Sequence, residues 1–192
     1  MEITSLLSSS WMEPVAVLTG IAYALLAVRR NRWAWVCGGI SSALLAVLAA
    51  RAELPLQAAL QGLYVGMAVY GFFEWTAPGG GQPAIRRWPL QWHVLAVVAI
   101  AAFALLLAPR LPLVNAGPWP MLDAAVMAAS VLATWLTART VLESWCYWWV
   151  VDAASMLLYG AQGLPLVAGL YAVYFGIAVF GFREWRRRWR ES

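Results

Sequence analysis

A carboxylate lies in the middle of the long apolar stretch ESWCYWWVVDAASMLLYG. Five polar or aromatic side chains of this stretch follow one another at spacings of 3, 4, 3 and 4: Trp145, Trp148, Asp152, Ser155 and Tyr159. In an α-helix, residues at these spacings share one face. Indole rings attract a cation and a carboxylate supplies the opposite charge, so this face has the chemistry of a binding site for an organic cation.

The composition places this helix in a membrane. Hydrophobic residues make up 63% of the 192 residues and charged residues only 11%. A soluble domain of this length has too little interior to hide so much apolar surface, so we predict an integral membrane protein with several spans. The N-terminal MEITSLLSSSW has no basic region before its apolar run, and we expect no cleavable signal peptide.

Seven apolar segments are long enough to be predicted as spans. They cover residues 13–29, 33–50, 55–75, 88–108, 120–138, 144–160 and 164–184. An odd number of spans puts the two ends on opposite sides. With the C-terminus inside, eleven of the thirteen arginines face the cytoplasm and only Arg51 and Arg110 face out, as positively charged loops prefer. We therefore expect the N-terminus outside and the C-terminus in the cytoplasm of a cell (inner) membrane.

An internal repeat organises the chain. When Leu54 is aligned with Leu164, LPLQAALQGLYVGMAVYGFFEW falls on LPLVAGLYAVYFGIAVFGFREW without a gap, with thirteen of twenty-two positions identical. We predict an all-α membrane protein in which two parallel three-helix repeats are joined by a fourth helix. Such repeats surround substrate sites in transporters that work by alternating access. The predicted parts are a first repeat at 12–75, a linker region at 76–118, a second repeat at 119–185 and a basic tail at 186–192.

Asp152 then falls near the bilayer midplane, where an ionisable residue is a functional candidate. Trp148 and Asp152 correspond to Gly38 and Ser42 in the first repeat, which leaves room for a guest. A purely structural role, in which the carboxylate pairs with a neighbouring tyrosine or tryptophan, stays open. The predicted substrate-binding residues are listed as Trp145, Trp148, Asp152, Ser155, Gln61, Tyr64, Gln57, Ser41 and Tyr174.

The stretches LQGLYVGMAVYGFFEW and ESWCYWWVVDAAS resemble the two signature regions of the PnuC family of vitamin transporters. The resemblance extends from about Trp11 to Trp185. It implies a seven-helix 3+1+3 bundle distantly similar to the SWEET transporters, and a facilitator whose substrate is trapped by phosphorylation in the cytoplasm. Members carry nicotinamide riboside, thiamine, riboflavin or deoxynucleosides.

The resemblance also implies roles for particular residues. The W-x-x-W motif of the family falls on Trp145 and Trp148, and its third-helix glutamine falls on Gln61. Asp152 stands where nicotinamide riboside carriers have asparagine. The polar position that corresponds in the first repeat is Ser41 or the neighbouring Ser42.

We therefore expect import of a vitamin precursor, with nicotinamide riboside first and thiamine, another B vitamin or a nucleoside as alternatives. A membrane receptor or scaffold is the alternative from another class. An enzyme is not expected, because His93 is the one histidine and has no serine at a useful spacing. We expect no cofactor and no metal, a homo-oligomer in the lipid bilayer, and no nucleic-acid partner.

Overall fold

The computed structural model describes residues 11–76, 82–110 and 119–191. This part of the chain holds seven α-helices. They are α1 (Met12–Val28), α2 (Trp33–Arg51), α3 (Pro55–Glu74), α4 (Leu90–Ala102), α5 (Pro120–Ala138), α6 (Ser144–Ala161) and α7 (Pro165–Glu191). The N-terminal residues 1–10, residues 77–81 and 111–118 of the predicted linker region, and residue 192 lie outside the described residues.

The predicted all-helical class and the seven helices are confirmed, with small shifts at their ends. Four helices are long and apolar enough to cross a membrane: α2, α3, α5 and α7. Met12–Val28 and Leu90–Leu106 are shorter apolar helices. Prolines begin α3, α5 and α7, where the missing backbone N–H costs nothing because the first turn has no partner for it.

Two helix ends differ from the predictions. After Ala102 the backbone widens into a π turn at Phe103–Leu107 and then a 3-10 turn at Ala108–Arg110. Pro109 supplies no N–H for continued α-helical bonding there. At the other end of the chain, α7 runs past the expected end at residue 184, because Glu184 pairs with Arg187 and Arg188 one turn later.

Four tight turns join neighbouring helices, and each contains a residue in the left-handed conformation. These residues are Arg30 (φ 53°), Glu53 (φ 58°), Thr140 (φ 52°) and Gly163 (φ 73°). The backbone N–H after each of them bonds back to the preceding helix, which is the Schellman pattern that ends helices. In the repeat alignment Arg30 is equivalent to Thr140, and Glu53 is equivalent to Gly163. Each equivalent pair therefore shares one turn geometry, in agreement with the sequence repeat.

The chain forms two compact units, which divide between Pro83 and Ala84. In the first unit, α2 packs against both α1 and α3. In the second unit, α6 packs against both α5 and α7, and α4 has looser contact with α5. In each unit the middle helix therefore holds its two neighbours together.

A tryptophan pair closes the first unit. The rings of Trp35 on α2 and Trp75 after α3 meet edge to face, with centroids 5.4 Å apart. Both indoles are buried. Gly71 on α3 lies directly against the Trp35 ring, so a Cβ at this position would overlap the indole. The absence of a side chain at Gly71 is what lets the two helices approach.

The second unit repeats this cluster. The rings of Trp145 on α6 and Trp185 on α7 meet at right angles, again with centroids 5.4 Å apart. A Cβ placed on Gly181 would lie 2.7 Å from three atoms of the Trp145 ring. Edge-to-face pairs of this kind contribute about 0.5–1.5 kcal/mol beyond the area that they bury. The cluster fixes the start of α6, and with it the face that carries Asp152.

Candidate functional site

Asp152 lies in the middle of α6 and is almost completely buried, with 3% of its surface exposed. Trp145 and Ser155 from the same predicted face are buried as well, so the spacing identified a face that packs inward. Within the described residues, the Asp152 carboxylate has no ion-pair partner. A buried carboxylate without a cation requires protonation, water or a positively charged guest.

Two phenol groups of α7 interact electrostatically with this carboxylate. Tyr171 and Tyr174, from α7, lie close enough to Asp152 for direct electrostatic interaction. Tyr159, two turns after Asp152 on α6, stacks on Tyr171 with ring centroids 5.4 Å apart and planes 8° apart. The second unit thus combines one carboxylate with flat aromatic surfaces and hydroxyl groups. This combination can bind an aromatic ring and accept hydrogen bonds from an amine or a ribose hydroxyl.

Trp148 is held in place by a polar contact. Its Nε1 donates a hydrogen bond to Oγ1 of Thr137, over 3.2 Å. The Thr137 hydroxyl donates in turn to the backbone carbonyl of Ala133, over 2.8 Å. The ring is only half-buried. A fixed, half-exposed indole on the face of Asp152 is suited to hold a flat ligand, because little side-chain freedom is lost on binding.

Trp145 has a different environment from Trp148. Its ring is buried between Gly181 and Trp185, and its Nε1 has no hydrogen-bond partner among the described residues. Trp35 occupies the equivalent place in the first unit, and its Nε1 also lacks a partner there. These contacts place the Trp145 ring in the packing between α6 and α7, and its binding role stays a prediction.

The predicted binding residues of the first unit range from buried to exposed. The Ser41 hydroxyl is buried and donates to the Ala16 carbonyl over 2.8 Å, so it ties α2 to α1. Tyr64 is half-buried and interacts electrostatically with the buried phenol of Tyr23. Gln61 is half-buried and Gln57 is exposed.

Tyr171 and Tyr159 are not among the predicted binding residues, although Tyr159 is on the predicted face that carries Asp152. In the repeat alignment Tyr171 is equivalent to Gln61, and Tyr174 is equivalent to Tyr64. The candidate set already held Gln61, Tyr64 and Tyr174. Because Tyr171 is the repeat equivalent of the candidate Gln61, the alignment alone could have added Tyr171, which stacks on Tyr159.

Comparison with known proteins identifies the family. The family model described as "Nicotinamide mononucleotide transporter" matches residues 10–187. The chain belongs to the nicotinamide mononucleotide transporter family. The expected membership in the PnuC group is confirmed, because curated PnuC proteins and a PnuC structure both match nearly the whole chain.

Two curated proteins are similar to this chain over nearly its whole length. The riboflavin/roseoflavin transporter RibM of Streptomyces davaonensis is 27% identical over 189 residues, which cover 95% of this chain and 87% of that protein. The nicotinamide riboside transporter PnuC of Escherichia coli is 23% identical over 209 residues, with the same two coverages. These relatives are named as transporters, which supports the expectation that the chain is not an enzyme.

The fold of the family is also found in a solved structure. The crystal structure of the vitamin B3 transporter PnuC matches with a TM-score of 0.76 and 23% identity, over 95% of this chain and 83% of that chain. The chain therefore has the fold of this multi-pass membrane transporter family. Among the described residues, no group of three histidine, cysteine or acidic side chains could hold a metal ion.

Proposed function

We propose that this protein is a facilitator that imports a small vitamin precursor across the inner membrane by alternating access, with nicotinamide riboside as the first substrate. Membership of the transporter family supports the transport function. One observation carries the choice of substrate class: Asp152 is buried in the middle of α6 and has no cationic partner among the described residues. Nicotinamide riboside carries a positively charged pyridinium ring, which the carboxylate would complement.

The proposed roles follow from the surroundings of each side chain. Asp152 provides the negative charge, while Trp148 and Tyr174 contact the flat ring of the substrate. Ser155 is a proposed hydroxyl contact on the same buried face. Trp145 positions this face through its contacts with Gly181 and Trp185.

In the first unit, Gln61 and Tyr64 are the proposed donors to substrate. Gln57 and Ser41 remain weaker members of the proposed set, since Gln57 is exposed and Ser41 already bonds to Ala16.

We also propose that the chain has the 3+1+3 arrangement. Its parts are a first repeat at 12–75, a linker region at 76–118, a second repeat at 119–185 and a basic tail at 186–192. The equivalent turns and equivalent tryptophan clusters of the two units support it. We also propose a homo-oligomer, which cross-linking in native membranes would test by the appearance of a discrete dimer or trimer.

Riboflavin is a second candidate substrate, because RibM is among the relatives and is 27% identical. Thiamine is a further candidate, since a carboxylate suits both its thiazolium ring and its exocyclic amine. Riboflavin is uncharged, so it gains less from Asp152 than the two cations do. A receptor or scaffold without transport is the remaining alternative.

Uptake into proteoliposomes tests the proposed function. Labelled nicotinamide riboside, thiamine and riboflavin are supplied outside vesicles that contain the purified protein, and empty vesicles provide the background. We expect equilibration of a cationic vitamin without an ion gradient, as for a facilitator. Binding of all three without any uptake would favour a receptor, and exclusive uptake of riboflavin would reject the cationic substrate class.

Substitutions at Trp148 separate an aromatic contact from simple bulk. Trp148→Phe keeps a π face and loses the bond to Thr137, whereas Trp148→Leu loses both. We expect Trp148→Leu to bind the cationic vitamin more weakly than Trp148→Phe, by about 1–2 kcal/mol in a desolvated site. Isothermal titration in lipid nanodiscs measures the difference, with Trp119→Leu as a control at an exposed tryptophan. Equal losses in the two variants would show that the ring acts only through packing.

The proposed orientation predicts which positions react with a membrane-impermeant maleimide. In a chain with Cys37 and Cys146 replaced by serine, we expect Ala52→Cys to be labelled in intact cells. Ser192→Cys should be labelled only after permeabilisation. The physical reason is the eleven arginines that face the cytoplasm when the C-terminus is inside. The opposite pattern would invert the topology.

A further inference from the structure

The exposed face of α7 changes from apolar to basic near the end of the helix. Val173 and Phe180 on this face are 50% and 60% exposed. Arg183, Arg186 and Arg190 follow Phe180 at spacings of 3, 3 and 4, and all three are exposed as well. Because residues at these spacings lie on one side of a helix, the arginines continue the exposed apolar stripe. The side of this long apolar helix that meets lipid chains therefore ends in positive charge.

The charges of these three arginines are not neutralised within the described part of the chain. Residues 183–191 hold five arginines and two glutamates, so this end of α7 has a net charge of +3. Glu184 pairs with Arg187 and Arg188, over 2.9 and 2.6 Å, and no ion pair among the described residues involves the three arginines of the exposed stripe. The uncompensated charge thus lies on the exposed face, where it favours an anionic partner.

The opposite face of this segment is held by the protein itself. Trp185 is fully buried and packs edge to face on Trp145. One turn later, the Arg87 guanidinium lies over the Trp189 ring, 5.3 Å from its centroid, which is a cation–π contact. Since α7 is one continuous helix over Pro165–Glu191, these two contacts determine the direction in which its arginine side faces.

The position of the arginines along α7 matches the level of lipid headgroups. Residues 165–182 form an apolar length of about 27 Å, close to the hydrocarbon core of roughly 30 Å. The segment from Arg183 to Arg190 adds about 10 Å beyond it. A headgroup layer is roughly 5–8 Å thick on each side of the core. Arg183 and Arg186 therefore lie within this layer, and Arg190 lies at its outer edge.

From this arrangement we propose that Arg183, Arg186 and Arg190 bind the phosphate groups of anionic phospholipids in the leaflet where α7 ends. The continuous exposed face selects a lipid, because a lipid whose chain covers Phe180 has its headgroup beside Arg183. The charge selects an anionic headgroup, since each arginine near an anionic surface raises the affinity about fivefold. Bound lipid holds this end of α7, the helix that carries Tyr174, at a fixed depth. This lipid site is independent of the vitamin that is transported.

Photo-cross-linking in vesicles tests this surface. The full chain is reconstituted into phosphatidylcholine vesicles that contain a small fraction of phosphatidylglycerol with a diazirine on its headgroup. After illumination, peptide mapping should place the label on the last two turns of α7. A phosphatidylcholine probe with the same diazirine should label this segment less, by about fivefold or more.

Removing the three uncompensated charges should remove the label. The combined variant Arg183→Gln, Arg186→Gln and Arg190→Gln should lower labelling by phosphatidylglycerol by about fivefold or more. The matched control replaces the same residues by lysine, which keeps the charge and should retain most of the label. Circular dichroism and gel filtration check the fold of both variants. If the triple glutamine variant does not fold, the pair Arg186→Gln and Arg190→Gln, which lies further from the hydrocarbon, serves the same purpose.

Three results would overturn the proposal. Equal labelling of the glutamine variant and the parent would show that anionic lipid binds elsewhere. Equal labelling by the phosphatidylglycerol and phosphatidylcholine probes would remove the role of the lipid charge. If soluble glycerol phosphate at millimolar concentration suppressed the label as strongly as unlabelled phosphatidylglycerol in the vesicles, the arginines would bind a free phosphate and not a lipid.

Discussion

Asp152→Asn is expected to weaken binding of nicotinamide riboside by about 1.5–3 kcal/mol, or roughly 10- to 150-fold, the range for hydrogen bonds to charged groups. The substitution keeps the shape of the side chain, removes its charge and replaces one acceptor oxygen by an amide NH₂ donor. Without substrate, the variant should be at least as stable as the parent, because the wild-type carboxylate is buried without a cationic partner among the described residues. Loss of affinity without loss of stability is the signature of a substrate-binding charge.

The measurement combines titration in nanodiscs with thermal unfolding in the same preparation. Glu13→Gln is the control, since Glu13 is an exposed carboxylate in the first turn of α1. Riboflavin provides a second comparison, because an uncharged ligand should lose less affinity than a cation. The alternative structural role of Asp152 predicts the opposite pattern, in which stability falls and the affinity for the cationic vitamin is unchanged.

The second large effect is expected at the glycines against the tryptophan clusters. Gly71→Ala and Gly181→Ala each place a methyl group inside an indole ring, so Trp35 or Trp145 must move. Overpacking of a well-packed core costs about 1–3 kcal/mol, and we expect the free energy of unfolding to fall by this amount in each variant. In the second unit the displaced Trp145 should also shift α6 and weaken substrate binding.

The repeat supplies matched controls for these glycines. Gly66 and Gly176 are equivalent positions on α3 and α7, and an added Cβ at either would meet nothing within 4 Å. Gly66→Ala and Gly176→Ala should therefore retain the stability of the parent, as measured by denaturant unfolding in detergent. Combining Gly181→Ala with Trp145→Phe should cost less than the sum of the two changes, because the smaller ring makes room for the methyl group. Equal stability of Gly71→Ala and Gly66→Ala would contradict the close-contact explanation.

The family relationship and the buried carboxylate contribute different parts of the functional conclusion. The match over residues 10–187 makes the chain a member of a transporter family whose named relatives include carriers of a charged and of an uncharged vitamin. Discrimination between such substrates depends on a few polar groups of the site, because flat aromatic surfaces accept both. We propose that Asp152 is the residue of this chain whose charge distinguishes the two classes.

Much of the local architecture follows from the sequence alone. The apolar segments and the breakers between them predict the seven helices within a few residues, because a helix must satisfy its own backbone in lipid. The repeat alignment also matches Trp35 with Trp145, and these two residues occupy the same environment in their units. Spacing along α6 places Asp152 and Ser155 on one face, and both are buried.

The tertiary structure decided which aromatic rings are buried against a neighbouring helix and which stay partly exposed. Helical periodicity groups Trp145 with Trp148, but it does not say what each ring meets on a neighbouring helix. Trp145 is buried because Gly181 on α7 leaves space for it, whereas Trp148 turns toward Thr137 and stays half exposed. Tyr171 of α7 stacks on Tyr159 of α6 only because these two helices pack together. Contacts between helices depend on the shapes of both surfaces at once, and these shapes are determined when the helices pack.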